Sequence, residues 1–148
     1  MYVYTIEETD TLYVIYHFKE AAAVMKFRDR YPIIVTENLR EVSDFWVRHL
    51  SFSEGFSSDW FVWLTAEDNS ASIGFMSPDH PSAPPGPETY GGTGICFELE
   101  AENLDQAWQE ITASGFTPEY PLTVEPFGQR RFGFHDPSGL WVDIVEQL

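Results

Sequence analysis

Apolar positions along this chain recur with two different periods, and each change of period marks an element. Residues 31–36 are apolar and β-branched enough for a strand, with Pro32 near its start, where a missing N–H is tolerated. Leu39, Val42, Phe45, Trp46 and Leu50 then recur at helical spacing, with Asn38 placed to cap the helix and Glu41 to close a capping box. Strand-like runs follow at 52–56, 60–64 and 71–76. The pattern predicts a β-α-β-β-β module over residues 27–77.

Residues 78–92 are rich in proline and glycine and read as a linker. After them the same order returns in a second module, 93–148. Residues 95–99 form a strand, Leu104, Ala107, Trp108 and Ile111 a helical stripe capped by Asn103 with Gln106, and Gly115 a helix stop. The tripeptide Glu-Asn-Leu stands at 37–39 and again at 102–104, at the same place relative to each helix. Asp136, Pro137, Ser138 and Gly139 have the residue preferences of a type I turn, so the strands on either side close as a hairpin. Residues 1–26 are an extension whose 2–6 and 12–18 runs predict a further hairpin; one reading takes Met25 as the natural start.

Strand alternation divides each sheet into two faces. Ile95, Phe97 and Leu99 suit a helix-covered face, as do Ile73 with Phe75 and Val142 with Ile144. Gly94, Cys96 and Glu98, then Ser72, Gly74 and Met76, then Trp141, Asp143 and Val145 fall on the other. This second face mixes small, polar and aromatic residues, as a ligand cavity does.

The formal charge of -16, with no Lys or Arg between His49 and Gln129, disfavours nucleic acid and anionic membranes as partners. Solubility or adaptation to high salt explains such a charge more readily than a cationic partner does. The single Cys96 excludes an internal disulfide, and neither a spanning apolar run nor a secretory signal is recognisable, so a cytoplasmic protein is expected. Asp143, a carboxylate inside an apolar strand, must be solvated, paired or bound to something. Arg130 and Arg131 are adjacent and point to opposite faces. One of them is expected to face the cavity, to hold an anionic or carbonyl group or to pair with Asp143 or Glu98, an exposed Arg on the hairpin being the plain alternative. His135 and His80 are further candidate ligands or bases, each with a plain structural alternative.

The repeat, the Asp136–Gly139 turn and the strand holding Asp143 together resemble the vicinal oxygen chelate superfamily, which includes glyoxalase I, bleomycin-resistance proteins and extradiol dioxygenases. The resemblance spans about residues 27–148. It implies an α+β fold of two tandem modules forming cupped mixed sheets, a homodimer, and a small-molecule site on the cupped face. In metal-dependent members, His, Gln or Glu side chains from the first and last strands of each module hold a divalent ion. Those positions fall here on Tyr31, Gly74, Gly94 or Cys96, and Asp143, and the resemblance implies that Arg130, by its spacing after Phe127 and Gly128, is the arginine that faces the cavity. Such a set is poor where about three or four protein ligands are usual, so no metal or other cofactor is expected. The expected function is metal-independent sequestration of a cationic or aromatic compound, in the manner of bleomycin resistance, by Tyr31, Trp63, Cys96, Glu98, Arg130, Trp141 and Asp143. The alternative is a metal-dependent lyase, isomerase or dioxygenase with an atypical site built from Asp143, Cys96, Tyr31 or a displaced histidine.

Overall fold

The structure, a computed structural model, describes residues 2–8, 11–17, 25–80 and 88–148, with the two N-terminal segments described by backbone alone. Residues 18–24 and the 81–87 part of the linker lie outside the described residues. The expected N-terminal hairpin is present in the backbone: β1 (Tyr2–Glu8) pairs antiparallel with β2 (Thr11–His17).

The first module runs β3 (Ile33–Val35), α1 (Leu39–Leu50), β4 (Ser53–Ser57), β5 (Phe61–Thr65) and β6 (Ser72–Met76). The second runs β7 (Cys96–Glu100), α2 (Leu104–Ala113), β8 (Tyr120–Glu125), β9 (Gln129–His135) and β10 (Trp141–Gln147). Their sheets have equivalent orders, β3-β6-β5-β4 and β7-β10-β9-β8. In each, the first strand lies parallel to the last, because the helix carries the chain across, and the remaining strands are antiparallel. Most strand limits sit one residue from the expected ones. Residues 120–125, which periodicity did not mark, form an edge strand with an irregular register between Tyr120 and Thr123, a place where Pro121 is tolerated.

Helix ends show which local signals act. Asn103 Oδ1 accepts from the Gln106 backbone N–H at 3.0 Å, as expected, but the Gln106 side chain turns along the helix to Glu110 rather than closing a box. Asn38 stands at the start of α1 without a side-chain capping bond; its own N–H donates to Thr36 Oγ1 at 3.2 Å. Gly115, at φ 88°, takes the left-handed conformation just past α2, as expected of a helix stop.

Apolar residues from both modules build one core. Ile34, Val62, Leu64, Ile73 and Phe75 meet Val42 and Trp46 of α1, while Phe132, Phe134, Val142 and Ile144 meet Leu104 and Ile111 of α2. Helix α1 also reaches across the repeat. Phe45 packs edge-on to Phe116 at 5.0 Å, and Trp46 touches Phe75 of its own sheet and Phe97 of the other. The Trp46 indole N–H donates to Asp136 Oδ2 at 2.8 Å, a fully buried bond between residues 90 apart in sequence. Asp136 Oδ1 meanwhile accepts from the Ser138 N–H, the Ser138 hydroxyl and the Leu140 N–H, holding the turn. Burial raises the Asp136 pKa, opposed by these donors.

Candidate functional site

The faces turned away from the helices carry the candidate chemistry. In β10, Val142 and Ile144 enter the core, so Trp141 and Asp143 lie on the opposite face, beside Cys96 and Glu98 of the parallel neighbour β7. Asp143 is only 3% exposed. Its Oδ2 accepts from Arg131 Nη1 at 3.0 Å and from the Cys96 thiol at 3.5 Å. Its Oδ1 is buried with no partner among the described residues. Across the hairpin stands Gly133, where a Cβ would collide with Asp143 Oδ1 and come within 2.5 Å of Trp141 Cζ2. The glycine makes room for both side chains to lie against the sheet.

Arg131, not Arg130, faces Asp143. Counting outward from the turn, His135 opposes Trp141, Gly133 opposes Asp143 and Arg131 opposes Val145, so Arg131 shares the Asp143 face and Arg130 does not. Arg130 instead donates to Glu146 at 2.6 Å and to Asp105 at 3.1 Å, tying the β9–β10 hairpin to the first turn of α2. The expectation that Arg130 reaches the cavity is corrected accordingly. Arg131 is held from several sides: Nε donates to Glu125 Oε1 at 2.9 Å, Nη1 to Asp143, and the guanidinium carbon lies 4.7 Å from the centre of the Tyr120 ring. The Tyr120 hydroxyl donates to the same Glu125 oxygen at 2.8 Å. These two donors hold the Glu125 carboxyl below its ordinary pKa, Tyr120 foremost, and the bond to Glu125 raises that of Arg131. Glu125 and Tyr120 were not singled out in the sequence, and the Asp136–Gly139 turn alone did not give the register: the loop closes through Leu140, whose carbonyl accepts from the Asp136 N–H at 2.9 Å, and this sets Arg131 on the Asp143 face.

Tyr31 and Trp63 are brought together in the first module, ring centres 6.1 Å apart, and Tyr31 shares a cleft of about 540 Å³ with Glu98 of the second. The Trp63 indole N–H is buried without a partner among the described residues. At Gly74, a metal-ligand position by resemblance, a Cβ would stand 2.9 Å from Phe61 Cζ, so an aromatic ring fills that place. His135 Nδ1 lies 3.0 Å from Glu119 Oε2, and its ring edges onto Trp141 at 4.8 Å. His80 stacks on Trp60 at 3.7 Å.

Cys96, Glu98 and Asp143 place one donor atom each within 4.8 Å of one another. As arranged, they do not fit a divalent ion. Arg131 already meets the Asp143 oxygen that faces Cys96. The thiol is pushed up to about 11, first by burial and then by the Asp143 charge, so it holds its proton at neutral pH. No helix among the described residues is long and apolar enough to cross a membrane.

A model of the Glyoxalase/Bleomycin resistance protein/Dioxygenase superfamily matches residues 24–144. No curated protein matches in sequence. Among solved structures, a glyoxalase/bleomycin resistance protein/dioxygenase from Nocardioides is similar, with 16% identity and a TM-score of 0.67 over 84% of this chain and 87% of that one. A superfamily member from Sphaerobacter thermophilus DSM 20745 shares 22% identity, with a TM-score of 0.62 over 82% of this chain and 98% of that one. A bleomycin-binding protein solved in complex with bleomycin shares 16%, with a TM-score of 0.60 over 82% and 100% respectively.

Proposed function

The chain belongs to the glyoxalase/bleomycin resistance protein/dioxygenase superfamily, and on that premise we propose that it sequesters a cationic aromatic compound on the face that carries Asp143. The observation behind this reading is the Asp143 carboxylate itself. It is withdrawn from water, has one oxygen unpaired, and lies against Trp141, with exposed Glu98 beside it. Arg131 takes Asp143 Oδ2, so Oδ1 and the exposed Glu98 carboxylate are what remain for a ligand's cationic group, and aromatic faces add cation–π attraction. Tyr31, paired with Trp63 in the first module, lines a cleft together with Glu98 and adds a second aromatic surface. The bleomycin-binding protein lends the reading a precedent in fold. A homodimer is part of the proposal. Ile33 and Phe56, 38% and 50% exposed, lie on the Trp63 face of the first module, where a second copy would cover them.

The test is titration with proflavine, a planar cation, read by tryptophan fluorescence, beside an anionic naphthalene sulfonate as control. Saturable binding of the cation alone is expected, weakened about tenfold or more by Asp143→Asn and by Glu98→Gln, the latter at an exposed position that leaves the core intact. Affinity unchanged by both substitutions, or preference for the anion, refutes the reading. A second reading, metal-assisted lyase, isomerase or dioxygenase chemistry, draws on the proximity of Cys96, Glu98 and Asp143. Near-stoichiometric metal in the purified protein would favour it.

A further inference from the structure

We infer that the Arg131 guanidinium occupies the place a divalent ion would take among Cys96, Glu98 and Asp143, and that it is what keeps such an ion out. The three donors converge within 4.8 Å, and the Asp143 side chain is 5% exposed with Oδ1 unpaired, so the pocket holds withdrawn negative charge that calls for a cation. Arg131 answers that demand at the Asp143 oxygen beside Cys96: Nη1 lies 3.0 Å from Asp143 Oδ2, the atom that also accepts from Cys96 Sγ. It is not a loose surface side chain. Glu125 fixes Nε at 2.9 Å and the Tyr120 ring supports the guanidinium plane, so moving it aside breaks two charge-assisted bonds.

A dication entering beside a fixed unit charge meets strong repulsion at this range, and the Cys96 thiol must also give up its proton to ligate. With Arg131 removed, Glu125 and Asp143 lose the cation they share among the described residues, and a thiol and carboxylates together suit a thiophilic divalent ion. The same face would then change from a metal-excluding to a metal-binding one through a single side chain.

The experiment uses the chelator-stripped full chain and two probes, Zn²⁺ by calorimetry and Cd²⁺ by its ultraviolet thiolate charge-transfer band. Wild type is expected to bind weakly and without the band. Arg131→Met should bind at least about a hundredfold more tightly and show the band, since a repelling unit charge has been removed from the seat of the ion. Adding Cys96→Ser or Asp143→Asn to that variant should abolish the gain. If Arg131→Met does not fold, Arg131→Gln, which keeps polarity and most of the length while dropping the charge, takes its place. Tight wild-type binding with the band overturns the inference, and so does absence of metal binding in the folded charge-free variant. Because no organic ligand is involved, failure here is distinct from failure of the dye titration.

Discussion

Replacing Trp46 with phenylalanine removes one buried hydrogen bond and part of one ring at the point where α1 of the first module meets the turn of the second. Trp46 is fully buried and its N–H donates to Asp136 Oδ2 at 2.8 Å, so Trp46→Phe leaves a buried carboxylate oxygen without its donor. A bond to a charged group contributes about 1.5–3 kcal/mol, and the lost volume adds roughly 1–2 kcal/mol. The expected destabilisation near pH 7 is therefore about 2.5–5 kcal/mol, a large part of the stability of a domain this size. Its pH dependence is the sharper test. The folded-state pKa of Asp136 is raised above 3.8 by burial, so protonation favours the fold, and this group's contribution falls as pH rises from about 4 through the raised value. The indole opposes that rise by favouring the charged form, so in Trp46→Phe the pKa climbs further and the destabilisation grows with pH. Urea unfolding of wild type, Trp46→Phe, Asp136→Asn and the double variant between pH 4 and 7 measures both effects. A destabilisation independent of pH, with the two single changes additive, would show that the 2.8 Å bond contributes nothing and that only ring volume matters.

Gly133→Ala should cost about 1–3 kcal/mol by overpacking and should shift tryptophan fluorescence as the Trp141 ring is pushed away, whereas Gly91→Ala, where an added Cβ meets nothing, should leave that fluorescence unchanged. With its thiol at about 11 against an ordinary 9.0, Cys96 should react with iodoacetamide at pH 8 about a hundredfold more slowly than a free thiol, and Asp143→Asn should speed the reaction; a rate equal to that of glutathione contradicts the proposed environment. Glu119 is held below its ordinary pKa of 4.5 mainly by the His135 backbone N–H, so its contribution is present above that pH and lost as pH falls through the depressed value. Glu119→Gln should accordingly flatten the acid limb of the stability profile between about pH 5 and 3.

Local chemistry was enough to determine the two repeated modules, their helices and the division of each strand into a covered and an open face. The 3.6- and 2-residue periods, the Asp136–Gly139 turn and the Asn103 cap all act between near neighbours, so they are legible in a linear string. Placing Asp143 opposite the core, with Cys96 and Glu98 on the same face, followed from alternation alone. Alternation could say that Arg130 and Arg131 part ways but not which one meets Asp143. That depended on the hairpin register, which sets Arg131 opposite Val145, and on Glu146 and Asp105 drawing Arg130 to the far side. Asn38 stands at the N-cap as spacing indicates, but Thr36 takes the N–H that a Glu41 box would have used, and β8 is unmarked because an edge strand with a proline and a bulge has no clean period. The reach of α1 across both modules, and with it the Trp46–Asp136 bond, was settled only by the folded chain. Such contacts join residues distant in sequence, and which of several apolar surfaces a helix covers is decided by how the whole core fills, information that no local spacing contains.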